Sequence, residues 1–137
     1  MARPLPREQV RAAAGAGLGL LLCAALVALL RPAGPAALQL VAPLGATAVL
    51  AFAVPNSPLA QPWSAVVGNT VSALSALAVL AVAPAPLAVG LAVGSAILAM
   101  TTTRSLHPPG GAVALLLALD PQSAEEAGLA FALAPGG

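Results

Sequence analysis

Charged residues are scarce in this 137-residue chain, and residues 32–103 contain no Asp, Glu, Lys or Arg. Charged side chains make up 7% of the sequence, whereas soluble domains carry about 25% because their surfaces need solvation. The apolar fraction is 60% and the mean hydropathy is +0.99. These values exclude a water-soluble domain and predict an integral membrane protein whose first partner is the lipid bilayer.

Other absences narrow the structural class. Tyrosine is absent and aromatic residues make up 2% of the chain, which argues against a transmembrane β-barrel with aromatic girdles. The single cysteine, Cys23, lies in an apolar run, so neither an internal disulfide framework nor a cysteine-based metal site is expected. The net charge of +1 comes without a basic stripe, so nucleic acid is not expected as a partner.

The residues that are present favour helices, because Ala and Leu dominate. The length accommodates about four or five crossings of roughly 20 residues each. Apolar segments occupy residues 12–30, 38–54, 64–82, 87–103 and 110–119. The first could also be a secretory signal peptide, but it is longer than a typical signal core. We therefore predict an all-α, polytopic helical membrane protein.

The distribution of arginine predicts the orientation in the membrane. Arg3, Arg7 and Arg11 precede the first apolar segment, so the positive-inside rule predicts a cytoplasmic N-terminus over residues 1–11 and a multi-pass protein of a bacterial-type inner membrane. The transmembrane domain is expected over residues 12–120. Residues 121–137 are expected to form a polar loop and the start of a truncated or missing further helix. The oligomeric state is left open, and a homo-oligomer is compatible with the sequence.

Two apolar segments are interrupted by proline and glycine. Pro43-Leu44-Gly45 opens ten residues that stop at Pro55, and Pro108-Pro109-Gly110 opens ten residues that stop before Asp120. Ten helical residues reach ~15 Å, about half the hydrocarbon thickness. The predicted sidedness makes the two segments antiparallel, as opposed half-helices would be, with N-termini that meet near the bilayer centre and attract an anion. The alternative is two full spans kinked at proline, and the residues alone leave both open.

The half-helix hypothesis also makes a geometric prediction. The backbone should be irregular around residues 40–44 and 105–109. The Cα atoms of Gly45 and Gly110 should approach within roughly 10–15 Å, a distance that side chains and an ion can bridge.

Candidate anion ligands lie at the two breaks. Arg104 is the only Arg or Lys after Arg31, although its alternative role is a snorkelling anchor at the interface. His107 precedes two prolines, so we expect it in extended chain, where its imidazole can donate to an anion and titrate near physiological pH. Asn69 and Gln61 are weaker candidates. The predicted substrate-binding set is Arg104, His107, Gly45, Ala46, Thr47, Gly110 and Gly111.

Residues 104–112, Arg-Ser-Leu-His-Pro-Pro-Gly-Gly-Ala, resemble the signature of the HPP family of integral membrane proteins, which is named for its His-Pro-Pro triplet. Residues 42–50 and 55–62 resemble two further family segments, and the resemblance extends from about Gly15 to Leu119. It implies a compact helical membrane domain with at least four spans. Some members from cyanobacteria and chloroplasts are taken to move nitrite, so the resemblance implies a small-anion transporter. The sequence departs from the family at its C-terminus, where members usually continue into a further helix.

We therefore expect a passive or proton-linked carrier for a small inorganic anion such as nitrite. The alternative is a non-transporting membrane partner or sensor domain. An enzyme is not expected. The acids Glu8, Asp120, Glu125 and Glu126 lie outside the apolar segments, and one His without Cys or carboxylate neighbours forms neither a metal site nor a nucleophile–base pair. No catalytic residue, metal or cofactor is predicted.

Overall fold

The computed structural model describes residues 5–30, 41–120 and 122. Within them the regular elements are helical, and no strand is present. The α-helices are α1 (Pro6–Leu30), α2 (Ala42–Ala53), α3 (Pro62–Leu80), α4 (Ala85–Thr102) and α5 (Pro108–Leu119), with a 3₁₀ turn at Pro58–Ala60 before α3. The predicted all-α class is confirmed.

Three of these helices are long and apolar enough to cross a bilayer, namely α1, α3 and α4. Helix α1 extends through Arg7 and Arg11 and has 25 residues. Helices α3 and α4 have 19 and 18 residues, which corresponds to ~28 Å of helix. These lengths fit the predicted polytopic membrane protein. Residues 121 and 123–137, where we expected a loop and a further helix, lie outside the described residues.

The other two helices, α2 and α5, are short and contain 12 residues each, or ~18 Å. They begin at Ala42 and Pro108 rather than at Gly45 and Gly110, so the expected irregular backbone is wrong for residues 42–44 and 108–109. Proline is the reason, because its fixed φ and missing N–H suit the first turn of a helix. The irregular backbone is found at Ser105–His107 and at the turn residue Val41, while Leu40 lies outside the described residues.

Helices α3, α4 and α5 form the core of the protein. Small residues repeat every fourth position on the faces that meet there, which lets helix backbones approach closely in lipid. On α3 the buried residues are Ser64, Gly68, Ser72 and Ala76, and on α4 they are Ala88, Ala92, Ala96 and Met100. Helix α5 adds Ala114, Leu117 and Ala118 to this core.

Helix α1 packs on α2. The contact includes Phe52, whose ring lies against Gly15 and Gly19 of α1. The membrane-spanning part of α1 contains no buried residue. This helix therefore presents most of its surface to lipid.

The contacts bring three chain segments to one end of the molecule. The first turns of α1 lie near the end of α2, because Arg11 and Asn56 line the same cavity. The start of α3 lies beside the end of α4, where Trp63 Nε1 donates to Thr103 O at 3.2 Å. Arg7, Arg11 and Arg104 therefore share one end of the bundle, and the orientation of that end in the membrane stays a prediction from the positive-inside rule.

Candidate functional site

The candidate site lies where α2 and α5 meet. His107 is the N-cap residue of α5 and has an extended backbone, with φ −140° and ψ 104°. This conformation fits the restriction that Pro108 imposes on the residue before it. The His107 side chain is completely buried. Its Nε2 lies 3.0 Å from Oγ1 of Thr47, which is in the second turn of α2.

The contact partners place this junction within the bundle. A Cβ added to Gly68 of α3 would meet Ser105 O and His107 Cβ, and one added to Gly110 would meet Ser72 Oγ at 2.7 Å. Gly68 and Ser72 lie ~9 and ~15 Å along α3 from its first residue. Since α3 is ~28 Å long, α5 begins between one third and one half of the way through the bundle.

Both ring nitrogens of His107 have partners. Nδ1 lies 2.8 Å from the backbone oxygen of Leu59 in the 3₁₀ turn. A carbonyl oxygen can only accept, so Nδ1 must carry a hydrogen. In the neutral ring Nε2 therefore accepts from the Thr47 hydroxyl. The backbone N–H of His107 donates to Sδ of Met100 at 3.4 Å.

The backbone amides at the start of α5 are already engaged or absent. Pro108 and Pro109 have no N–H, and the N–H of Gly110 donates to His107 O at 2.8 Å. In α2, Pro43 likewise has no N–H, and the N–H of Leu44 donates to Val41 O at 3.0 Å. The two helix ends therefore offer fewer free donors than an open helix N-terminus would.

The predicted glycine and alanine positions differ in their surroundings. A Cβ added to Gly45 or Gly111 would meet nothing within 4 Å, whereas Gly110 is buried against α3 and α4. Ala46 is exposed. Gly110 thus has a packing role, and substrate binding at Gly45, Ala46, Gly110 and Gly111 stays a prediction.

Arg104 ends helix α4 in an unusual conformation. Its φ of 52° lies in the left-handed region. Its N–H donates to Thr101 O at 3.2 Å, and the N–H of Ser105 donates to Met100 O at 2.8 Å. These two bonds form a Schellman motif, in which glycine is the usual residue at the left-handed position. The arginine side chain is exposed, three residues before His107.

Several residues around the junction were not predicted from the sequence, including Leu59, Gly68, Ser72, Met100 and Ser105. Ser105 is fully buried, with Oγ 2.6 Å from Thr103 Oγ1.

Within the described residues, Asn69 Oδ1 and Ser72 Oγ are buried without a hydrogen-bond partner. The weaker candidate Gln61 instead bonds the loop carbonyls of Pro55 and Ser57. The sequence shows that Gly68 and Ser72 are four residues apart, but it does not show which residues pack against them.

A second feature near α2 is a cavity of about 520 Å³ between α1 and α2. Its walls include Arg11 and Ala16 of α1 and Ala48 and Phe52 of α2. In the part of the chain that the structure describes, no three His, Cys, Asp or Glu side chains come together as a metal site would require.

Comparison with known proteins assigns the family. The family model for the HPP transmembrane region matches residues 1–137. The chain belongs to the HPP family. The segment 107–109 that closes the α2–α5 junction is therefore the His-Pro-Pro triplet of an HPP transmembrane region, and the predicted resemblance is confirmed.

Two transmembrane proteins of Dictyostelium discoideum are similar to this HPP chain. One is 47% identical over 76 residues, which cover 52% of this chain and 24% of the relative. The other is 45% identical over 82 residues, which cover 56% of this chain and 29% of the relative. The match thus spans less than a third of the length of these relatives. No solved structure matches the chain.

Proposed function

We propose that this HPP transmembrane region carries a small monovalent anion, such as nitrite, along a path through the α2–α5 junction. The observation that supports this proposal is the Thr47–His107 contact, which joins two 12-residue helices inside the bundle. Short helices that begin within the membrane place polar groups at a depth where the lipid chains have no polar groups of their own. This is the arrangement in which transporters bind substrates and ions.

Side chains rather than helix amides are the proposed anion donors, since the amide hydrogens of the first turns are largely engaged. Thr47 and His107 carry the donors at the junction. Their mutual bond would have to open for an anion to pass, so the structure corresponds to a closed path in this proposal. Ala42–Thr47 and Ser105–Gly111 would then form the walls of the open path.

Arg104 is the proposed first contact for the anion. It is exposed and is the only Arg or Lys after Arg31, so its field attracts anions to this end of the bundle. A residue other than glycine in the left-handed region costs roughly 1 kcal/mol. A cost of this kind is retained most readily where the side chain has a function. We place this end in the cytoplasm of a bacterial-type cell, with the N-terminus.

The second candidate function is a non-transporting membrane partner or sensor domain. One observation favours it, because both ring nitrogens of His107 are already bonded within the chain. In this case the junction would serve only to hold α2 on α5. We propose no enzymatic activity in either case.

The test is anion uptake into proteoliposomes that contain the purified protein, with nitrite, nitrate, formate and chloride compared. Arg104→Gln should abolish most nitrite uptake, and Arg104→Lys should retain part of it, since Lys keeps the charge but loses the planar five-donor fork. Arg7→Gln is the matched control, because Arg7 is an exposed arginine at the same end of the molecule.

Uptake is normalised to the amount of inserted protein and corrected with protein-free vesicles, since nitrous acid crosses bare bilayers. Wild-type vesicles that take up none of these anions would contradict the carrier proposal. A stoichiometric second protein that co-purifies with the inactive chain would then support the partner alternative.

A further inference from the structure

The two ring nitrogens of His107 differ in their protonation. One nitrogen carries a hydrogen in every state, and the other can gain or lose one. Nδ1 donates to Leu59 O at 2.8 Å in every state, because that oxygen cannot donate. Nε2 is therefore the atom that gains or loses a proton. It faces the hydroxyl of Thr47 at 3.0 Å.

Thr47 can serve both states of the ring. When His107 is neutral, the hydroxyl donates its hydrogen to Nε2. When His107 is protonated, Nε2–H donates to Oγ1, and the hydroxyl hydrogen can turn to the oxygen of Pro43, 3.4 Å away. Each group keeps a partner in both states, which avoids the penalty for a buried polar group without one.

Among the described residues, the contacts of His107 supply no opposite charge. They include Thr47 of α2, Leu59 of the 3₁₀ turn, Gly68 of α3 and Met100 of α4. None of these is charged or titratable. Arg104, the nearest charged residue along the chain, is itself positive and exposed. A buried charge without a counter-charge is costly in a medium of low dielectric constant.

We propose that His107 Nε2 is a proton-binding site and that the proton travels with the anion. This rests on the proposed transport function. The bound proton would supply the positive charge that a monovalent anion needs within the bundle, and the anion would supply the missing counter-charge. By linkage, each ligand must then strengthen the binding of the other. One proton and one anion together cross without net charge.

The first test observes the site directly and does not depend on transport. His107 is the only histidine in the chain, so ¹⁵N-histidine labels a single ring. In bilayers with saturating nitrite, nitrogen NMR should show Nδ1 protonated throughout and Nε2 gaining a proton as the pH is lowered from 8 to 5. Without nitrite the same proton should bind only at a lower pH, because the buried charge then has no counter-charge. A neutral ring with its hydrogen on Nε2, or a ring that stays neutral to pH 5 in saturating nitrite, would overturn the proposal.

The Thr47 hydroxyl provides the matched variants. Thr47→Val should lower the proton affinity of the ring roughly tenfold, because the protonated ring loses a charge-assisted hydrogen bond and the neutral ring loses a weaker one. Thr47→Ser keeps the hydroxyl and should restore most of the wild-type transition. Thr70→Val is the control, since the Thr70 hydroxyl bonds Val66 O on the exposed face of α3. Identical transitions in the three Thr47 forms would refute the role of the hydroxyl in the site.

The second test measures coupling in proteoliposomes with an internal pH dye. A nitrite gradient should drive proton uptake above the protein-free baseline, one proton for each nitrite. His107→Gln, which cannot take up a proton, should abolish the protein-dependent proton flux. Nitrite flux without proton flux would leave the carrier proposal standing and refute coupling. Protonation of Nε2 without any nitrite flux would refute both coupling and the carrier, while the proton site itself would stand.

Discussion

The two short helices have the same length and a proline in the first turn, yet their surroundings differ. Helix α5 buries Pro109, Gly110, Ala114, Leu117 and Ala118 against α3 and α4. Helix α2 buries only Pro43 and Ala48, and it packs mainly on α1. The sequence features that begin and end a short helix therefore do not determine how firmly that helix is held.

The difference divides the molecule into a fixed and a less constrained part. The core of α3, α4 and α5 contains the close backbone approaches at Gly68 and Gly110. Helix α2 instead borders the cavity of about 520 Å³ beside α1. Segments with few buried contacts open at a lower free-energy cost than core segments. If the α2–α5 junction opens for an anion, we expect α2 to move and α5 to stay in place.

The largest expected effect on stability is a difference between alanine substitutions at the two glycines near the helix starts. Gly110→Ala should destabilise the protein by about 3 kcal/mol, because the added Cβ would lie 2.7 Å from Ser72 Oγ and 3.0 Å from Gly68 O. Gly45→Ala should leave stability unchanged or slightly raise it, since nothing lies within 4 Å of its Cβ position. The measurement is thermal stability in detergent, followed as the fraction that remains monodisperse. Equal losses in both variants would remove the distinction between α2 and α5.

A smaller effect is expected where α2 meets α1. Phe52→Ala removes the ring that lies against Gly15 and Gly19. The loss should be about 1 kcal/mol, because the ring is only half-buried and lipid can replace part of the contact. Val49→Ala is the control on an exposed position of the same helix. A loss as large as that of Gly110→Ala, in the same thermal assay, would mean that α2 is as firmly held as α5.

A stability change of the same size but opposite sign is expected in the turn that leads into α5. Arg104→Gly should raise stability by about 1 kcal/mol, because glycine adopts the left-handed conformation without steric cost. Nitrite uptake should nevertheless fall, as we expect for Arg104→Gln. A more stable variant with normal uptake would return Arg104 to the role of an interfacial anchor.

Sequence reasoning identified two segments that meet at the α2–α5 junction, while anion binding there stays a prediction. The breaks at Pro43 and Pro108 left two short helices and two kinked full spans both open, and the structure has a 12-residue helix at each break. The helix starts were wrong by two or three residues, because proline belongs to the first turn and does not have to precede it. The sequence did not indicate that Gly68 and Ser72, which lie about 40 residues earlier, come to lie against Gly110 in the fold.

The sequence by itself determined the membrane environment, the helical class, the positions of the two proline breaks and the HPP family, since each depends on composition or on neighbours along the chain. Only the tertiary structure decided that His107 is buried between Thr47 and Leu59, which are 60 and 48 residues away. The tertiary structure also decided that Gly110 packs against neighbouring helices while Gly45 faces open space. Glycine is the same residue at every position, and its role depends on which backbone comes to lie opposite it.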